Sequence, residues 1–90
     1  MIDLERLANE EKISDVIAFL VRREGGFGYQ QMDRFFSRHN FSVIENGEFM
    51  RAFEQLRQNG VVMWGDKMLV KKCPNWKEPK FVTEKKYGIE

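Results

Sequence analysis

The chain is 90 residues long, carries a formal net charge of +1 and is 42% hydrophobic. That length fits one small domain, which buries only about 60 to 65% of its unfolded surface, so its core must be dense. The near-neutral balance lacks the strong basicity expected of a nucleic-acid binder, the single Cys73 excludes an internal disulfide, and His39 as sole histidine leaves no Cys/His zinc set.

Eight Phe supply large apolar area without a polar atom to satisfy, and five Met can fill the gaps between them. The start Met1-Ile2-Asp3 is acidic and no stretch approaches the ~18 apolar residues of a membrane span, so a cytoplasmic protein with no membrane association is expected. Charge is unevenly placed. Residues 1 to 24 hold six acids against four bases, and residues 61 to 90 four against seven. Every lysine but Lys12 lies in the last third, whereas every arginine precedes Gly60.

Ile13, Val16, Ile17 and Leu20 follow the i, i+3, i+4, i+7 spacing of a helix with one buried face, which predicts a first helix from about Glu11 to Glu24. Ser14 or Asp3 would cap its start, and Ile2, Leu4 and Leu7 either form a short leading helix or extend this one. Gly25-Gly26 ends it. Phe27-Gly28 is a short extended link, and Met32, Phe35 and Phe36 mark the inner face of a second helix from Tyr29 to His39. Asn40 to Glu45 reads as a turn. Asn46 caps a third helix whose buried stripe is Phe49, Ala52, Phe53 and Leu56, leaving Glu48, Arg51, Glu54, Gln55 and Gln58 in solvent.

Gly60 stops that helix, and Val61 to Trp64 and Lys67 to Lys72 then form a ribbon around a two-residue Gly65-Asp66 turn whose first position needs positive φ. Val62 and Trp64 share one face, as do Met68 and Val70, and Pro74 ends the ladder. The parse is a domain over residues 1–74 and an aromatic, basic extension over 75–90 with Trp76, Phe81 and Tyr87 among lysines. That extension is a free arm, a third strand around Phe81 to Thr83, or a segment that folds back so that Trp76 plugs the core.

The run from Ile13 to Lys72 resembles the winged helix-turn-helix superfamily, through Gln30-Gln31-Met32-Asp33-Arg34-Phe35-Phe36, the helix Phe49 to Leu56 and the junction Leu56-Arg57-Gln58-Asn59-Gly60-Val61-Val62. The resemblance covers about two thirds of the chain and implies an α+β fold of three main helices followed by a two-stranded β-ribbon, with Phe27-Gly28 as a minimal first strand. It further implies a binding surface made of the third helix and the wing. In that superfamily the third helix often enters the major groove, which would turn Arg51, Gln55 and Gln58 to bases and Lys67 and Lys71 to phosphates. Glu45, Glu48 and Glu54 lie on or beside the same helix and would repel a polyanion.

No nucleophile, second histidine or spaced carboxylate pair accompanies His39, so the expectation is a protein without enzymatic activity, cofactor or metal. Arg34 and Arg38, one turn apart, could clamp phosphates, but a solvated helix face, with Arg34 free to pair with the neighbouring Glu24 or Asp33, is the ordinary reading. Gly25-Gly26-Phe27-Gly28 lacks the Lys-Ser/Thr ending of a phosphate loop and is a helix stop. Trp64, Trp76, Phe81 and Tyr87 suit an interface, because large aromatic side chains bury area at little entropy cost.

The expected function is a protein-binding module of the small inhibitor, antitoxin or immunity type. Its candidate contact residues are Glu48, Arg51, Gln55, Gln58, Trp64, Lys67, Trp76, Phe81 and Tyr87. The alternative is a DNA-binding transcriptional regulator that uses the third helix and wing on double-stranded DNA as a homodimer.

Overall fold

The computed structural model describes residues 2–23 and 25–89. Among them it has six helices and one small antiparallel sheet, an α+β fold. The leading segment is a helix of its own, α1 (Leu4–Glu10), whose first turn is capped by the Asp3 carboxylate accepting from the Arg6 amide at 3.2 Å. Extended backbone at Glu11 and Lys12 turns the chain before α2 (Ile13–Leu20).

The first helix therefore starts later than Glu11 and ends at Leu20, ahead of the glycine pair. At that end the Trp76 indole donates to the Ala18 carbonyl at 2.9 Å, and the Phe19 carbonyl accepts from both the Arg22 amide at 3.2 Å and Arg22 Nη1 at 2.9 Å. These bonds satisfy acceptors that a further turn would otherwise have used. The expected end at Glu24, and its pairing with Arg34, lie outside the described residues.

β1 (Phe27–Gly28) leads directly into α3 (Tyr29–His39), which matches the predicted second helix. The predicted turn after it is instead a short helix, α4 (Ser42–Glu45), beside which the Asn40 side chain accepts from the Ser42 hydroxyl at 2.8 Å. The next helix, α5 (Glu48–Gln58), starts at Gly47 with φ +78°, and Asn46 Oδ1 accepts from the Glu48 amide at 2.8 Å. Asn46 thus serves the helix start from one position further out.

β2 (Val62–Trp64) and β3 (Leu69–Lys72) pair as Val62 with Lys72, Met63 with Lys71 and Trp64 with Val70, while Phe27 pairs with Val70 on the other side, giving the order β1-β3-β2. The sheet thus has three strands, the expected ribbon and, beside β3, the minimal strand that the resemblance implies at Phe27-Gly28. The hairpin loop is also longer than predicted. Gly65 has φ −104°, and the left-handed residues are Lys67 (φ 55°) and Met68 (φ 61°), so the turn spans Gly65 to Met68 and Met68 leaves the strand.

Residues 75–89 fold back over α1 and α2. Phe81 sits on α6 (Lys80–Thr83), a helix rather than a strand, is 1% exposed and stacks 5.5 Å from Phe19. The Asp3 amide donates to the Tyr87 carbonyl at 2.8 Å, closing N-terminal on C-terminal segment. The core is continuous from Leu7, Val16, Ile17 and Phe19 through Phe36, Phe49 and Phe53 to Val62, Val70 and Phe81.

Candidate functional site

An α-helix turns by about 100° per residue, so α5 presents different flanks to different neighbours. Phe49 and Phe53 point inward and are buried. Glu48, Ala52 and Gln55 fall on one flank, where they meet the corner between α1 and α2 in a polar cleft of about 600 Å³ also lined by Glu11, Lys12 and Asn40. Arg51 and Gln58, seven residues apart, share the outermost stripe, and Arg51 Nη1 donates to the Asn46 carbonyl at 3.2 Å. Met50, Glu54 and Arg57 occupy the opposite flank, which faces the ribbon.

On that flank an aromatic cluster reaches the surface. Tyr29 opens α3 immediately after β1, so its ring stands between α5 and the ribbon, 5.4 Å from Phe49, 5.1 Å from Phe53 and 5.4 Å from Trp64. Trp64 lies 5.2 Å from Phe53, edge to face. Phe49 and Phe53 form a buried floor. Trp64 remains 41% exposed, and Met50 (65%) and Met68 (50%) stand free at either side.

Two hollows share Tyr29 as a wall. One of about 110 Å³ is lined by Asp33, Ile44 and Met50, the other, of about 350 Å³, by Gly28, Gln30, Lys67 and Met68. The Met-aromatic face is therefore continuous from α5 across Tyr29 to the hairpin loop.

The charges around this face are mixed. Burial pushes the Tyr29 phenol up, and the nearby Asp33 and Glu54 carboxylates push it further. Arg57 Nε donates to Glu54 Oε1 at 3.0 Å, and this hydrogen bond holds the Glu54 carboxyl below its ordinary value. Lys67, at the tip of the loop, is exposed.

The structure thus divides the candidate residues instead of gathering them. Trp64 and Lys67 lie on the ribbon side, Arg51 and Gln58 on the outer stripe, and Glu48 and Gln55 in the cleft. Trp76, Phe81 and Tyr87 are on another side of the molecule. Trp76 is tied to Ala18 with Lys72 Nζ 4.7 Å above its ring, and Phe81 belongs to the core and offers no surface. The Tyr87 hydroxyl donates to the Glu11 carboxylate beneath the Arg6 guanidinium, 5.4 Å from the ring.

Tyr29, Met50 and Met68 were not among the candidates. Met50 carried a legible signal, because it is a large apolar residue about 100° off the buried stripe of its own helix. Tyr29 and Met68 carried none: the first looks like an ordinary helix start, and the second depends on the length of the turn. No protein-family model, characterised protein or solved structure matches this chain.

Proposed function

We propose that this protein is a non-enzymatic binding module of winged-helix type whose partner is another protein, engaged through Tyr29, Met50, Trp64 and Met68. The observation that carries the reading is the continuous face in which Trp64 and two methionines stand exposed around a half-buried tyrosine over a floor of phenylalanines. Tryptophan and tyrosine dominate interface hot spots, and methionine adapts its shape to a partner. The succession of α2, α3, α5 and a hairpin, with β1 added beside β3, supports the winged-helix description. A small inhibitor, antitoxin or immunity protein, which works by covering its partner, suits a chain whose described residues bring no catalytic constellation together.

The test is capture of partners by the tagged full chain from a nuclease-treated lysate of its native cells, in parallel with the Trp64→Ala and Met50→Glu variants. The expected result is a protein retained by the wild type and lost from both variants while their circular dichroism is unchanged. A protein retained equally by both would remove this face from the binding role.

The outward stripe of Arg51 and Gln58, with Lys67 beyond it, supports a second reading as a reader of duplex DNA. Glu48 and Glu54 flank that stripe, and a duplex would have to tolerate them. On this reading Arg51→Ala with Gln58→Ala abolishes retention of an operator fragment at low salt, and unchanged retention excludes it.

A further inference from the structure

β2 is an edge strand within the uncharged run Val61-Val62-Met63-Trp64, and among the described residues no other strand covers its open side. The pairing with β3 fixes which backbone groups face outward. Cys73 donates its amide to the Val61 carbonyl at 3.0 Å and Gly65 donates to Leu69 at 2.7 Å. Bonded and non-bonded pairs alternate along an antiparallel ladder, so Met63 and Lys71 form the bonded pair between them. The N–H and C=O groups of Val62 and Trp64 therefore point away from β3, and among the described residues no backbone bond to another element takes them up.

We propose that β2 pairs with β2 of a second copy of this chain, antiparallel about a two-fold axis through Met63. In that register Val62 meets Trp64 of the second copy and Trp64 meets its Val62. Both are outward-facing residues, so each pair exchanges N–H and C=O, and every free group on this stretch of edge is satisfied. Shifting the register by one residue would set outward-facing residues against inward-facing ones. The two sheets join in the order β1-β3-β2-β2-β3-β1.

The sequence agrees with self-pairing. Natural edges are protected by lysine, proline or a bulge, and β2 has no charged residue or proline. A charged edge paired with itself would set like charges opposite each other. Met63, 46% exposed on the outer face, meets Met63 of the second copy in the closer, non-bonded kind of pair and is covered by it. The proposal stands on the backbone of β2 and holds whether or not the Tyr29 face takes another protein.

Sedimentation velocity of the full chain over a concentration series tests it. Wild-type mass rises with concentration from 10.7 kDa toward twice that value. The variants Met63→Lys and Met63→Glu, each placing like charges across the axis, remain monomeric alone with unchanged circular dichroism, and an equal mixture of the two recovers the dimer. A wild type that stays monomeric up to its solubility limit overturns the proposal. So do variants that still dimerise alone, or a mixture that stays monomeric.

Discussion

The Trp76 indole Nε1 donates to the Ala18 carbonyl at 2.9 Å, tying the C-terminal segment to the end of α2 across 58 residues of chain. That carbonyl belongs to the last turn of the helix, where intrahelical donors run out. Replacing Trp76 by Phe keeps a ring in place but leaves the half-buried acceptor without its donor. The expected cost is about 1 to 2 kcal/mol of unfolding free energy. In a domain of this size each kcal/mol lowers Tm by about 4 to 8 °C, which thermal unfolding followed by circular dichroism measures. An unchanged Tm would mean that the tail does not hold α2.

Gly26 and Gly25 should respond differently to alanine although they are neighbours. Gly26 has φ +80°, and a Cβ there would lie 2.5 Å from the Val70 carbonyl oxygen, where β1 approaches β3. Gly25 has no positive φ, and a Cβ there meets nothing within 4 Å. Gly26→Ala is expected to cost about 1 to 3 kcal/mol, as a strained backbone position does. Gly25→Ala changes stability by less than about 1 kcal/mol, and in the stabilising direction, by restricting the unfolded chain. Urea titration of the two variants decides it, and equal loss in both would refute the assignment.

The helical part of this architecture was legible because it rests on local pattern. The spacing of Met32, Phe35 and Phe36 located α3, and Phe49, Ala52, Phe53 and Leu56 located α5, since both helices bury one flank. What escaped the pattern depended on distant contacts. The end of α2 is set by Trp76 and Arg22 side chains rather than by Gly25-Gly26, and the hairpin loop takes its left-handed residues at Lys67 and Met68. The same holds for the candidate site. Trp64 could be singled out by type, but its company of Tyr29 and Phe53 exists only because β1 delivers Tyr29 beside the ribbon. Phe81, read as a surface anchor, is buried against Phe19, and only the return path of the tail determines that.

Alkaline pH should loosen the closure between the two ends of the chain. The hydrogen bond from the Tyr87 hydroxyl to the Glu11 carboxylate pushes its phenol up from 10.0 to about 12, with burial and the Glu11 charge adding to it. The folded state favours the protonated phenol, so the contribution is fully present below pH 10.0 and is lost as pH rises through about 12. The urea midpoint should fall across that window. Tyr29, also shifted upward, adds a slope of its own, so the informative quantity is the difference between wild type and Tyr87→Phe. The variant should show the shallower fall, and parallel curves would exclude Tyr87 as a source.

The two tryptophans offer a direct reading of the Met-aromatic face, because their surroundings differ. Trp64 is 41% exposed on Tyr29 and Phe53, whereas Trp76 is half-buried with its indole N–H bonded inside the fold. A Trp76→Phe variant leaves Trp64 as the only tryptophan, and Trp64→Phe leaves Trp76. Acrylamide should quench the first variant more steeply than the second, since quenching requires collision with the ring. The purified partner from the capture experiment should then reduce quenching of Trp64 and shift its emission to the blue, as an indole does on leaving water, with no change at Trp76. Partner binding that leaves Trp64 as accessible as before would place the contact elsewhere on the molecule, and the polar cleft lined by Glu48 and Gln55 would become the next surface to vary.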